Sequence, residues 1–415
     1  MKRIGIIGGG AAGMMAAITA ARQGAKVIIF EKNDRVGKKI LATGNGKCNL
    51  GNMQLSEQEY HSTDKQLLQK ALECFGTQET IQFFRSLGLW LKEKNGYLYP
   101  LCEQAAVVLD VLRNELRILN VEILYQAQVN SIRPKNYGFV IHYNGGKREV
   151  DRVIVTGGGC AASKTGSDGS CFALAAALGH KIIPQVPALV QLKCREDYFK
   201  SVSGVRCDAV IQAYAEGELL GAEGGELQLT DYGVSGIPVF QLSRQVNYAL
   251  LAGKKVTLQL DVLPGVTQEE LEQLQLSRGL LLGERTLEEF FAGTVNKKLI
   301  NLFIKLSGLK PTMSCEEVKP EQLRQVYQYM KQWKVQVSAH NGFENAQVSA
   351  GGVSLKEVNI HMESSLIPGL FLAGEVLDVD GRCGGYNLQW AWSSGYLAGM
   401  AASKNEKYLP EREGI

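Results

Sequence analysis

The first thirty residues carry the clearest pattern of apolar and polar positions. Residues 3–7 (Arg-Ile-Gly-Ile-Ile) and 26–30 (Lys-Val-Ile-Ile-Phe) are short apolar runs without alternation, as expected of strands buried on both faces of a parallel sheet. Between them, 11–23 is rich in Ala, Met and Ile and is followed by Gly24, which predicts a helix with a glycine C-cap. This is a βαβ unit. Apolar positions recur at helical spacing over 64–87, interrupted at Gly76, and again over 104–119. Strands are expected at 121–125, 128–133, 138–143 and 152–156, with Asn144-Gly145-Gly146 as a hairpin turn, and a helix at 169–178. From about Pro187 to Asp261 the pattern changes to short alternating strands between glycine turns, which predicts an antiparallel sheet or barrel. Residues 267–334 read as helical, strands return near Val335, 369–373 is another buried strand, and 387–402 is a final helix. The charged tail over 403–415 is expected to fray.

The pattern therefore predicts an α/β chain with a bipartite Rossmann-like domain at 1–187 and 354–415. A β-rich insert at 188–262 and 335–353 and a helical domain at 263–334 interrupt it.

Composition narrows the chemistry. Lys+Arg (45) and Asp+Glu (42) nearly cancel, so the net charge of +3 lacks the basic excess of a nucleic-acid binder. Nine cysteines without a C-x-x-C pair, and five histidines without ligand spacing, speak against a disulfide framework or a metal site. No apolar run approaches the ~18 residues of a membrane span. The apolar stretch after Lys2 and Arg3 is broken by Gly8, Gly9, Gly10 and Gly13, unlike a signal peptide. A cytoplasmic protein acting on a small molecule, away from nucleic acid and membrane, is the expectation; monomer and homodimer both stay open. Glycine is in excess, 46 of 415 residues, so the places where glycines cluster matter.

The first cluster is Gly8-x-Gly10-x-x-Gly13, between a strand and the helix opened by Ala11 and Ala12. Glu31 follows the second strand immediately, 18 residues after Gly13, and Lys32 comes next. This is the dinucleotide fingerprint: one glycine for the tight turn, one for close approach of a pyrophosphate, one for helix–strand packing, and an acid for the ribose. An acid at that place repels a 2′-phosphate, so the adenosine belongs to FAD or NAD.

Three later features favour FAD and a fold of the two-dinucleotide-binding class. Residues 151–159 run from a strand into Thr156, Gly157 and Gly158 just after a β-meander that carries Val129. Residues 369–375 end a late strand in Gly374-Glu375, with Asp378 and Asp380 close behind, an acid placed to hold ribityl hydroxyls. Gly384-Gly385-Tyr386-Asn387 opens the final helix, whose N-terminus is expected at the flavin N1 and C2 carbonyl. No second Rossmann fingerprint follows Gly157, so NAD(P)H, as a co-substrate, would bind only transiently at the flavin face. The polar loop 37–49 places Lys39 and Thr43 near phosphate or ribityl, Gly44 and Asn45 at its bend, and Lys47, Cys48 and Asn49 near the ring. Cys48 reads as a packing residue. Ser167 or Asp168 reads as a helix cap, with Lys164 a candidate ligand contact.

The loop Lys38–Asn49, the run Val348-Ser349-Ala350-Gly351-Gly352-Val353, and above all GEVLDVDGRCGGYNLQWAWSSG from Gly374 to Gly395 resemble the BaiN/aminoacetone oxidase-like family of bacterial NAD(P)/FAD-dependent flavoproteins. The resemblance spans essentially the whole chain. It implies one FAD, a bipartite FAD domain, an inserted β-domain and a small helical domain. The chain departs from that family at Lys47 (often Arg), Gly157 (usually Thr) and Ser163 (often Pro).

The expected activity is hydride transfer at flavin N5. The leading form is reduction of an activated C=C, such as a steroid or bile-acid enone, by NAD(P)H. An aminoacetone-type oxidase using dioxygen is the alternative, and a flavin-dependent tRNA-modifying protein is an alternative of another class. Tyr386 and Lys47 are the candidate proton donors.

Overall fold

The computed structural model describes residues 1–282 and 284–404; the tail expected to fray lies outside the described residues from 405 onward. The chain divides into two compact units, one made of Met1–Gln185 and the chain from Val348 onward, the other of Val186–Gln347.

The first unit is built on a five-stranded parallel sheet in the order Leu370–Leu372, Arg152–Val155, Arg3–Ile7, Lys26–Phe30, Glu122–Leu124. Ile4, Ile6, Ile29, Val153 and Ile154 have no exposed surface, which is why these short runs are apolar without alternation. The chain leaves the central strand Arg3–Ile7 toward one side and later returns on the other. The carboxyl end of that strand is thus a topological switch point, where open α/β sheets form their ligand crevices. The meander Val129–Pro134, Phe139–Tyr143, Gly146–Val150 precedes the return strand.

Two helices pack against this sheet. Ala11–Arg22 is buried from Ala12 to Ala20, and Tyr386–Ser403 lies along it. A Cβ on Gly395 would sit 2.5 Å from the Ala12 carbonyl oxygen, and one on Gly399 would sit 2.5 Å from that of Ala16. The pairing advances in the same direction on both helices, so they run parallel. Their N-termini are offset by eight residues, about 12 Å at 1.5 Å per residue.

The second unit is a closed antiparallel barrel of six strands: Leu192–Cys194, Gly233–Gly236, Glu218–Leu229, Arg206–Ala215, Val256–Asp261 and Trp333–His340. Within the stretch expected to be all strand, Ile237–Leu251 is a helix. Its buried Val239, Leu242, Val246 and Ala249 follow the helical period, and Pro238 fits its first turn.

The helices Lys297–Leu306 and Pro320–Lys331 share one core with the barrel, through Phe303, Tyr327, Trp333, Leu258 and Leu260. Residues 263–334 therefore have no core of their own. Val348–Val353, expected in the insert, belongs to the first unit. Among the described residues no helix is long and apolar enough to cross a membrane.

Candidate functional site

The site begins where Arg3–Ile7 turns into the first helix. Gly8 adopts φ +101°, and a Cβ there would lie 2.8 Å from the Thr156 carbonyl oxygen. A Cβ on Gly13 would overlap the Gly8 carbonyl oxygen and come within 2.7 Å of Thr156 Oγ1. Gly10 differs: a Cβ there meets nothing within 4 Å. Gly10 is also the N-cap, no side chain caps the helix, and its first turn holds no acid. The N–H groups at Ala11 and Ala12 thus start a helix whose positive end faces open space, a ready anion site. Gly8 and Gly13 are fixed by protein contacts, and Gly10 by room left for something else.

Glu31 is buried and holds this turn. Its Oε2 accepts from Gly9 N (2.9 Å), and its Oε1 accepts from the backbone and side chain of Asn33 (2.8 Å each). Lys32 pairs with Asp168 (2.6 Å), which also accepts from Ser170 N (3.1 Å) at the start of the helix Ser170–Ala177. Ala127 N donates to the Glu31 carbonyl (2.8 Å), while Val129 packs in the meander opposite Tyr143. Lys164 is exposed.

The return strand closes the second side. Thr156 Oγ1 donates to the carbonyls of Ile7 (3.0 Å) and Gly8 (2.8 Å). A Cβ on Gly157 would overlap Cys171 Sγ, so the buried Cys171 thiol fills the space a Thr side chain would claim. Gly158 approaches Ser167 Oγ, within 2.5 Å of an added Cβ. Ser349 was not among the expected site residues. Its Oγ accepts from Cys160 N (2.7 Å) and Ala161 N (2.9 Å), and its N–H donates to Glu375 Oε1 (2.8 Å). Glu375 Oε2 pairs with Lys39 (2.7 Å). The three glycine-bearing segments thus meet through Lys39, Glu375 and Ser349. The signal for Ser349 was its place in the Val348–Val353 run.

The third side is the loop after the short helix Lys38–Ala42. Gly44 and Asn45 are both left-handed (φ 55° and 53°), and Thr43 Oγ1 donates back to the Ile40 carbonyl (2.6 Å). Lys47, a candidate proton donor, is half exposed. It pairs with Glu103 (2.7 Å), which Lys92 also holds at 2.7 Å. Glu103 raises the Lys47 pKa and so holds that proton more tightly. Burial pushes the Cys48 thiol up to about 11, in keeping with a packing residue.

At the final helix, Gly374 N donates to Ser394 Oγ (2.9 Å), and Gly385 (φ 93°) is the N-cap without a side-chain cap or first-turn acid. Asn387 is a clamp on the preceding loop: Oδ1 accepts from Gly381 N (2.8 Å) and Nδ2 donates to the Gly381 carbonyl (2.7 Å). Asp380 is buried in the strand Val379–Gly381, paired with Tyr60–Ser62. Burial pushes the Tyr386 phenol up to about 12, and its backbone carbonyl accepts from Tyr60 Oη (2.8 Å).

The HI0933-like protein Rossmann domain matches residues 2–401. The chain belongs to that family. It is 45% identical over 407 residues to the 3-dehydro-bile acid delta(4,6)-reductase of Clostridium scindens, covering 97% of this chain and all of that protein. It is 28% identical to the ribosomal RNA dihydrouridine synthase of Haemophilus influenzae, over 96% of this chain and 98% of the relative. The 3-ketosteroid delta1-dehydrogenase of Sterolibacterium denitrificans, solved with 1,4-androstadiene-3,17-dione, has the same fold (TM-score 0.50, 14% identity, 97% of this chain and all of the other covered).

This HI0933-like chain is an FAD-dependent oxidoreductase. Its residues fit the cofactor. The uncapped first helix with open space at Gly10 suits a pyrophosphate, and the uncapped final helix starts about 12 Å away along a parallel axis. Beside that second start, Asn49 Oδ1 is buried with no hydrogen-bond partner among the described residues.

Proposed function

We propose that this chain reduces a C=C bond conjugated to a carbonyl, in a steroid-like enone, with NAD(P)H as electron donor. The observation that carries this reading is the 45% identity, over 97% of this chain and all of the relative, to a reductase of a 3-dehydro-bile acid. The relative from Haemophilus influenzae supports the reaction type. Converting uridine to dihydrouridine also saturates a C=C conjugated to a carbonyl, so both names describe one kind of chemistry on different scaffolds.

Bound FAD supplies hydride exchange at N5, which links NAD(P)H to the enone. The protein's part is to bind, orient and protonate. Lys39, Glu375 and Ser349 hold one another and would fix the loops beside the ribityl chain of bound FAD. With a hydride delivered to the carbon β to the carbonyl, the α carbon needs a proton. Tyr386, at the start of the final helix and with its pKa near 12, holds one at neutral pH. No second glycine-turn βαβ unit occurs among the described residues, which suits a nicotinamide that binds briefly and leaves.

The test is anaerobic mixing of the flavin-loaded protein with NADH or NADPH, followed by a 3-oxo-4-ene steroid. Fast bleaching by the nicotinamide and recovery on adding the enone are expected. Bleaching by aminoacetone, with none by either nicotinamide, would replace the reductase reading with the oxidase.

A further inference from the structure

The loop that carries Asn49 is held on every side. Cys48 N donates to the Thr43 carbonyl (3.1 Å), and Leu50 N donates to the Leu98 carbonyl (2.8 Å). The Leu50 carbonyl accepts from Trp392 Nε1 (3.0 Å), on the final helix itself. Cys48 sits in the left-handed region (φ 58°) while fully buried, a conformation that costs a non-glycine residue energy and needs rigid surroundings to persist. The backbone is thereby fixed so that the Asn49 carboxamide lies beside Gly385: an added Cβ on Gly385 would be 2.7 Å from Asn49 Oδ1 and 2.6 Å from the Gly51 carbonyl oxygen.

Asn49 Oδ1 is buried and accepts no hydrogen bond among the described residues, although it lies beside Gly385, the N-cap of the final helix. A buried acceptor left unpaired costs on the order of 1–3 kcal/mol, so a fold that orders one so firmly implies a partner from outside the chain. The two features together form a pattern: hydrogen-bond donors at an uncapped helix start, and an acceptor at their side. The pyrimidine edge of oxidised isoalloxazine presents the reverse, a carbonyl acceptor at C2 next to the N3–H donor.

We infer that the Asn49 carboxamide oxygen is the acceptor for the N3–H of bound FAD, and so a positioning residue that sets ring register against the final helix. The inference rests on the FAD assignment, and it goes beyond it by naming the atom. It also gives a purpose to the left-handed Cys48, whose conformation aims the next side chain.

The test uses the full chain, freed of flavin and reconstituted with FAD or with N3-methyl-FAD. Wild-type protein is expected to bind the methylated cofactor about tenfold more weakly, the loss of one buried hydrogen bond. In the FAD-loaded Asn49→Leu variant, the N3–H bending band in resonance Raman is expected to shift toward its position in weakly bonded flavin. Equal affinity of wild type for the two flavins, or an unchanged band in the variant, overturns the role of Asn49 while leaving FAD binding intact. Binding of neither flavin overturns the FAD assignment and the inference with it.

Discussion

An Ala at position 13 would drive a methyl into the Gly8 carbonyl oxygen, which is backbone and cannot move aside, whereas an Ala at position 10 would meet no atom of the described residues within 4 Å. The two substitutions should therefore separate. Gly13→Ala is expected to lower the stability of the protein even without flavin, by about 1–3 kcal/mol as for other overpacked sites. Gly10→Ala should leave flavin-free stability unchanged and weaken FAD binding at least about tenfold, the clash now being with phosphate. Denaturant melts and flavin titrations of both variants measure this; a flavin-free Gly10→Ala as unstable as Gly13→Ala would refute it. The glycines were legible because a missing side chain leaves a mark in the sequence. Ser349 was marked only by its place in the Val348–Val353 run, because its hydrogen bonds reach the backbone of Cys160 and Ala161 in a distant segment; Asn387 was named at the helix start, but its clamp on Gly381 was not foreseen. The candidate acids also separate. Tyr386 must be protonated to act, so its contribution is lost only as pH rises toward about 12 and is flat from pH 6 to 9. Tyr386→Phe should slow enone reduction by roughly 10²–10⁴-fold while flavin bleaching by NAD(P)H keeps its rate. Lys47→Met, with its ammonium committed to Glu103, should leave the enone half-reaction within a few-fold of wild type.

Among the elements, the pair of parallel helices matters most. Helices Ala11–Arg22 and Tyr386–Ser403 come from opposite ends of the chain. They approach closely because Gly395 and Gly399 face the backbone at Ala12 and Ala16, with no side chain between. Each helix was readable from the sequence, but the contact was not: the small residues reveal a close approach without saying to what. Gly395→Ala would press on the Ala12 carbonyl and force the helices apart. A stability loss of about 1–3 kcal/mol is expected, together with weaker flavin retention, since the offset of the two helix starts is altered. The comparison variant is Ser364→Ala. Ser364 Oγ contacts His180 Nε2 (3.0 Å) and accepts from the N–H groups of Leu366 and Ile367, while His180 Nδ1 contacts Glu357 (2.8 Å). Removing that buried network should destabilise the protein while leaving the spectrum of bound flavin as it was. The helix Ile237–Leu251 was missed because it follows directly on the strand Gly233–Gly236 and leads into the alternating strand Val256–Asp261, so the helical period of Val239, Leu242, Val246 and Ala249 was read with the strands around it.

For the whole molecule, the open choice is between a small enone and a base in RNA, since relatives with either name share the reaction type. Charge decides differently for the two. Binding to RNA gains most of its affinity by releasing counterions from phosphates, which requires a basic surface and shows as a steep loss of affinity with salt. This chain carries a net charge of only +3 over 415 residues, and in the unit Val186–Gln347 acidic residues slightly outnumber basic ones. Several of the lysines there are already engaged: Lys297 with Glu288, Lys298 with the Ser203 carbonyl, and Lys331 with Asp261. These charges favour the small enone over RNA. Ribosomal RNA fragments are therefore expected to elute without retention at ~0.15 M salt, where the screening length is about 8 Å, and to leave the rate of enone reduction unchanged. Retention whose logarithm falls linearly with the logarithm of salt concentration, with competition against the steroid, would move this chain to the RNA side of its family.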